Sequence, residues 1–398
     1  MRSADEHLAA LLALLPATAV DTVPLAEALG LVAARDIVAI GPLPPFDNSA
    51  MDGFAVRAAD LDASTVDAPV TLRLSGESAA GHPSPIKVEH GNAVRIMTGA
   101  LVPHGTDAVV PQELAMNHGE RVTFTAPTRA GAHIRRAGED AVPGDVLVPS
   151  GTELRARHLA AAASAGIAHV PVARAPRVAF LVTGDELARP GEILEPGHIH
   201  ESNATTLGAA LAALGAIPAD LGLVRDDPEA VRAAVRRTAR DGAELIVTTG
   251  GASVGDHDAV KAGLAPLGVE FANIAMQPGK PQGLGLVDGV PVVCLPGNPV
   301  AVAVCVEVFV GPAIRGMRRA IEPPWEPVTA GVEWMSPPGR EQFMPVVIDD
   351  RIVRPATTGG SGSHLIARLA AADGLVRVPA TADAVRPGDT LAFRRFTT

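Results

Sequence analysis

The chain has 398 residues, enough for two to four domains of about 100–200 residues each, and 47% of it is hydrophobic, which excludes a disordered chain. Forty glycines and 35 prolines, against 3% aromatics and no tyrosine, demand many turns. The formal charge of −11 excludes a general electrostatic grip on nucleic acid or acidic lipid but leaves room for a local anion site, and two cysteines, Cys294 and Cys305, exclude a disulfide framework.

Residues 4–15 predict a helix, with Leu8, Leu11, Leu12 and Leu15 on one face. A second short helix is expected near Leu25–Leu29, ending at Gly30. Gly41-Pro42-Leu43-Pro44-Pro45 can be neither helix nor central strand and reads as an extended linker. From about 55 to 150, short alternating runs (70–74, 93–97, 121–124, 146–148) punctuated by Gly, Pro and Asp predict an all-β region. Residues 152–170 return to helix, so the β region reads as an insertion into a helical N-terminal part.

Residues 176–315 alternate strand candidates (177–182, 217–224, 244–248, 269–274, 290–295) with helix candidates (203–214, 228–240, 257–265, 299–315). That order implies a doubly wound, mostly parallel α/β domain, whose ligands bind beyond the carboxyl ends of the strands. After Pro323-Pro324 the texture is β again, consistent with a small C-terminal barrel. The expected domains are 1–50 with 147–174, 51–146, 175–322 and 323–398. A membrane span needs about 20 apolar residues. Pro16 and Glu307 interrupt the longest apolar stretches, so neither a span nor a signal peptide is expected and the cytoplasm is the expected location. Cys294 and Cys305 stand in apolar runs and read as buried, inert thiols.

Three loops follow strands of the α/β region: Thr183-Gly184-Asp185-Glu186, Thr248 to Asp256, and Leu295-Pro296-Gly297-Asn298-Pro299. Glycine lets a backbone approach a phosphate closely, and Asn298 with Pro299 starts a helix whose free N–H groups face the strand tip. Neither a P-loop nor a dinucleotide fingerprint is present, which disfavours an NTPase and an NAD enzyme. Acids flanked by Gly or Pro (Asp52, Asp140, Glu186, Asp226, Asp227, Asp256, Asp258) supply hard oxygen ligands. Glu186, Asp226 and Asp258, from three loops of one sheet, suit Mg²⁺ shared with substrate phosphates, whereas Asp227-Pro228-Glu229 is a helix N-cap. Lys280, between prolines, reads as a positioned cation, and Arg135-Arg136 as an anion clamp beside Glu139 and Asp140.

Phe46-Asp47-Asn48-Ser49-Ala50-Met51-Asp52-Gly53-Phe54-Ala55-Val56 resembles the signature of the molybdopterin molybdenumtransferases, relatives of the E domain of gephyrin. The resemblance continues through 95–100, 135–140, 183–187, 249–255, 295–299 and 360–364. It implies a homodimer that inserts molybdenum from molybdate into adenylylated molybdopterin and releases AMP, assisted by Mg²⁺. It also implies transient contacts with other proteins of molybdenum cofactor synthesis; the charge and the interrupted apolar runs speak against a nucleic-acid or membrane partner. By motif match it assigns catalysis to Asp52, Thr98, Asp140, Glu186, Asp226 and Asp258; Lys280, the cation that remains in its loop, joins them as a catalytic candidate. Substrate contacts fall on Ser49, Arg135, Asn203, Gly250, Gly251, Ser253, Gly255, Pro296, Gly297, Asn298, Pro299 and Ser363. Asn273, Gln277 and Pro345 stand where many relatives carry basic residues, which leaves open a tungstate-handling paralogue or a non-catalytic cofactor carrier. A molybdopterin adenylyltransferase is the remaining alternative, opposed by the extra regions 1–150 and 325–398.

Overall fold

The computed structural model describes residues 1–251, 258–357 and 366–397. Its centre is a six-stranded sheet in the spatial order Ile217–Val224, Arg177–Thr183, Leu245–Thr249, Val290–Leu295, Pro281–Val287, Glu270–Asn273. The first four strands are parallel and the last two antiparallel to their neighbours. Side chains alternate between two cores, as strand pleating requires. Phe180, Val247 and Val293 face Leu207, Leu211, Val302 and Phe309 on one side. Leu181, Ile246 and Cys294 face Val231, Val235 and Val260 on the other. The chain runs from Arg177–Thr183 to an edge strand on one side and then crosses to Leu245–Thr249 on the other. The crevice between these two strand ends is therefore a topological switch point, where open α/β sheets bind ligands.

Pro281–Val287, the first arm of the antiparallel hairpin of this sheet, offers no continuous apolar run in the sequence, because glycines occupy its tight positions. A Cβ on Gly283 would lie 2.8 Å from the Phe271 ring, and one on Gly285 would lie 2.6 Å from the Gly268 carbonyl oxygen. Its two-residue turn, Asp288-Gly289, has φ of 48° and 83° at the two positions, the pattern of a type I′ turn.

The N-terminal region departs from the helical expectation. Val20–Pro24, His169–Ala173 and Val32–Ala33 form a three-stranded sheet, and the expected helix near 25–29 is a single 3₁₀ turn, Leu25–Glu27, confined between Pro24 and Gly30. The helix expected over 152–170 covers only Ala156–Ser164, because the apolar residues after Gly166 join the sheet. The helix Ala4–Leu14, closed by a Ser3/Glu6 capping box, leaves this region and packs against the central domain. The insertion folds as a six-stranded sheet around Phe54, Leu61, Val110 and Phe124.

The C-terminal strands close into a five-stranded barrel, with Glu341–Asp349 paired to both Ile352–Pro355 and Gly374–Val378. Met276 and Gln277 of the central domain add to the barrel edge beside Glu341 and Gln342. The helical stretch Pro299–Met317 meets the length and composition of a membrane span despite Glu307, contrary to expectation, but 89% of that window is buried inside the fold. Both cysteines are buried, and burial pushes the Cys294 thiol up to about 12.

His7 is 1% exposed and meets Phe309 edge-on at 5.2 Å; burial pulls its imidazole down to about 4. The folded state therefore resists protonation, and stability falls as pH drops from the ordinary histidine value near about 6.5 toward about 4. A His7→Leu variant should lose less thermal stability than the parent between about pH 7 and about pH 4, by on the order of 3 kcal/mol, in calorimetry at both pH values. Equal losses would remove His7 as the cause.

Candidate active site

The three glycine-bearing loops meet at the carboxyl ends of the parallel strands. Gly250 has φ of 91°, and a Cβ there would lie 2.3 Å from the Thr183 carbonyl oxygen. A Cβ on Gly297 would lie 3.1 Å from the Gly250 Cα. Glycine thus brings the second loop against the first and the third against the second. Asn203, at the start of the helix Asn203–Ala213 and 5% exposed, joins the second loop to the third. Its Nδ2 donates to Thr249 Oγ1 (2.9 Å) and to the Gly297 carbonyl (2.8 Å), and Thr249 Oγ1 donates to the Pro296 carbonyl (3.2 Å). Asn298 and Pro299 begin the buried helical stretch, and no side chain caps its first turn, so its free N–H groups and positive dipole end stand at the strand tip.

The acids stand around these loops. Asp185 and Asp226 exchange hydrogen bonds: Asp185 N–H donates to Asp226 Oδ2 (3.1 Å), and Asp226 N–H donates to Asp185 Oδ1 (3.3 Å). Glu186 lies beside Gly184, whose Cβ would come 2.8 Å from Glu186 Oε2. Asp258 caps the helix Ala259–Leu264, accepting from Lys261 N–H, and a Cβ on Gly251 would lie 3.1 Å from its Oδ1. Asp227 caps Pro228–Arg240 by accepting from the Glu229 and Ala230 amides. The structure therefore gathers Glu186, Asn203, Asp226, Gly250, Gly251, Asp258, Pro296, Gly297, Asn298 and Pro299 at one end of one sheet. Ser253, Gly255, Asp256 and Ser363 lie outside the described residues.

A second group stands on the insertion domain and its hinge. Asp52 Oδ1 accepts from both the amide and the hydroxyl of Thr98, each at 2.7 Å. The Thr98 amide first, and its hydroxyl second, hold the Asp52 carboxyl below the usual carboxylate range, so this exposed group is ionised at neutral pH. Ser49 is fully buried, and its hydroxyl donates to the Met51 carbonyl (2.6 Å), shaping the turn that presents Asp52. Asp47 accepts from Arg136 Nη1 (2.6 Å) and the Ala137 amide (2.8 Å), so it is Arg136 that makes this ion pair, and Arg135 is exposed beside it. Asp140 is exposed, its amide donating to the Leu43 carbonyl. The Asp52–Thr98 bonds close within the insertion domain, and Lys280 is exposed on the turn before Pro281–Val287.

Sequence reasoning assigned no separate role to Asp47, Thr183 or Thr249. Thr249 closes the loop clamp, and Thr183 underlies Gly250. Their signal was present but weak: small polar residues at the ends of apolar runs, where a buried strand would otherwise continue. Among the described residues, four polar atoms here are buried without a hydrogen-bond partner, namely Thr183 Oγ1, Asn203 Oδ1, Thr248 Oγ1 and Asn298 Oδ1. Each carries a desolvation cost of about 1–3 kcal/mol that a bound polar ligand would relieve.

The fit to a metal ion is limited. Among the described residues, no cluster of three or more His, Cys, Asp or Glu side chains could hold one. Asp226 and Asp258 are already engaged by backbone amides, so the three acids do not form a ready cage.

Gly250→Ala should lower stability by about 2 kcal/mol or more, combining left-handed strain with the collision against Thr183. The control Gly242→Ala has φ of 86° but no atom within 4 Å of the new Cβ, and should lose only the strain component. Thermal unfolding of the two variants compares them directly.

Residues 2–166 match the family described as the MoeA N-terminal region (domain I and II), 179–316 the probable molybdopterin binding domain, and 327–395 the MoeA C-terminal region (domain IV). Molybdopterin molybdenumtransferase 2 of Mycobacterium tuberculosis is 39% identical over 98% of this chain and 98% of its own length. Molybdopterin molybdenumtransferase of Haemophilus influenzae is 35% identical over 100% and 99%. The crystal structure of the molybdopterin biosynthesis MoeA protein of Pyrococcus horikoshii OT3 superposes with a TM-score of 0.88 at 27% identity, covering 100% of both chains. With all three domains matched in order and relatives aligned end to end, the chain belongs to the molybdopterin molybdenumtransferase family.

Proposed function

We propose that the strand-tip crevice binds adenylylated molybdopterin and that the chain inserts molybdenum from molybdate into it with release of AMP. The observation that carries this reading is the interlocked Thr183–Gly250–Gly297 junction beside the open helix end at Asn298. Backbone amides in such loops bind phosphate oxygens and stabilise charge as it moves. Releasing AMP breaks one phosphoanhydride bond. Water or an oxygen of molybdate bonds to the adenylate phosphorus while the electron pair of the broken P–O bond leaves with the molybdopterin phosphate; where the oxygen is molybdate's, its Mo–O bond then breaks, AMP departs with that oxygen, and a dithiolate sulfur of the pterin takes the vacated position on molybdenum. The ionised Asp52, locked by Thr98, orients the attacking oxygen by accepting its O–H, from water or from a protonated molybdate.

Mg²⁺ enters this reading as an ion carried largely by the substrate phosphates, completed by one or two of Glu186, Asp226 and Asp258. The insertion-domain group and the strand-tip group belong to one site in this proposal, shared between two copies of the chain as a homodimer. Phe46 and Met51, 42% and 40% exposed beside Asp52, support a covered face there. A cytoplasmic setting and transient contacts with other cofactor-synthesis proteins complete the reading. The net charge of −11 supports a partner set without nucleic acid.

Purified protein incubated with adenylylated molybdopterin, molybdate and Mg²⁺ should release AMP, and Asp52→Asn should lower kcat about tenfold or more with Tm close to the parent's, since the Asn Oδ1 can still accept both Thr98 bonds. Retained pterin binding without AMP release would replace the reading with a carrier, and adenylylation of molybdopterin from ATP with an adenylyltransferase. Parallel titration with tungstate tests the effect of the uncharged Asn273, Gln277 and Pro345 on oxyanion choice.

A further inference from the structure

We propose that Asn203 is a positioning residue that sets the spacing between the two anion loops, acting through Thr249 and the Gly297 carbonyl. The inference rests on the strand-tip binding site proposed above and adds to it the element that holds the site in shape. Asn203 belongs to neither loop. It opens a helix reached only after the excursion 187–200, yet its single Nδ2 group bonds to both loops, at 2.9 Å and 2.8 Å. Two acceptors facing one end of the amide determine its orientation, so the other end is the carbonyl. Thr249 is fully buried; it accepts from Asn203 and passes its own proton to the Pro296 carbonyl at 3.2 Å. The result is a short chain of directed bonds crossing from the helix through the second loop to the third.

Geometry explains why such a clamp is needed. Glycine permits the closest approach of the loops but supplies no side chain to hold it. The contacts at Gly250 and Gly297 are backbone against backbone, and the Thr249–Pro296 hydrogen bond at 3.2 Å links the second loop to the third. Asn203 adds a restraint from outside. A phosphate group held by amides from two loops binds only while the loop separation matches its oxygen–oxygen span, and a shift of about 1 Å is enough to lose it. The second observation is the unpartnered Oδ1 of Asn203, buried at the same place, with Thr183 Oγ1 and Asn298 Oδ1 in the same condition. Most buried side-chain amides have both ends bonded, and the exceptions call for an explanation. Here one end holds the loops and the other remains as an acceptor for a ligand N–H or O–H.

The test is a double-mutant cycle in the full-length protein, with Asn203→Ala, Thr249→Val and the combination. The readouts are KM for adenylylated molybdopterin, KM for molybdate, kcat, Tm, and Kd for AMP as a separate probe. Asn203→Ala should raise the KM for adenylylated molybdopterin and the Kd for AMP about tenfold, leaving the KM for molybdate within about twofold. In the Thr249→Val background the same change should cost less than about threefold, because the chain of bonds is already broken. Thr249→Ser, which keeps the hydroxyl, should restore parental values. Additive losses, or a fall in Tm with unchanged KM and Kd, would overturn the assignment. If Asn203→Ala fails to fold, Asn203→Asp keeps the shape and removes the donors, and should give the same KM pattern; a parental KM in that variant would overturn it equally. A parent protein that binds AMP but releases none with molybdate would defeat the proposed reaction while leaving the Asn203 cycle readable through Kd.

Discussion

The site depends on backbone meeting backbone without side chains between. Thr183, Gly250 and Gly297 stand at the ends of three adjacent parallel strands; the contact at Gly250 leaves no room for a Cβ, and that at Gly297 is tight for one. Parallel strands set about 4.8 Å apart do not themselves bring their following loops into contact. The loops must turn toward one another, and a left-handed residue at the first position after a strand does this at least cost when it is glycine.

The rest of the central domain keeps that junction rigid. Two apolar cores, one on each face of the sheet, leave the strand ends nowhere to move. The buried stretch Pro299–Met317 runs from the third loop into the larger of these cores. A helix whose amino end binds anions is most effective when its axis cannot tilt, and burial on nearly every side provides that. The barrel is joined to the same body by Met276 and Gln277 at its edge and by Arg377, which bridges Asp5 of the first helix and Glu341. Arg394 lies over the Trp325 ring at 4.5 Å and also pairs with Glu322. These contacts bring the N-terminal helix, central domain and barrel to one joint, although the chain order places the insertion between the first two.

The insertion domain presents its chemistry differently. Asp52 and Thr98 are both exposed, and rigidity there comes from short hydrogen bonds instead of burial. The buried Ser49 hydroxyl and the Asp47–Arg136 pair lock the two turns that carry the motif. An exposed carboxylate held by two donors keeps its charge and its direction while remaining open to a partner molecule.

Much of this organisation was legible in the amino-acid order. Strand–helix alternation over 176–315 implies a mostly parallel sheet, because buried two-faced strands need continuous Val, Ile and Leu runs, and Asp227-Pro228-Glu229 carries the residue types that favour a helix start. The anion loops were visible as glycine after a strand. Periodicity failed where glycines replaced apolar residues, as in Pro281–Val287, and where short apolar runs such as His169–Ala173 lacked the length to separate strand from helix. Only the tertiary structure decided that Ala4–Leu14 leaves its own domain, that Ser49 faces inward, and that Asn203 reaches two loops 46 and 94 residues away. Local sequence specifies local conformation, but the partner of a single amide depends on which distant backbone the packed cores bring within about 3 Å of it.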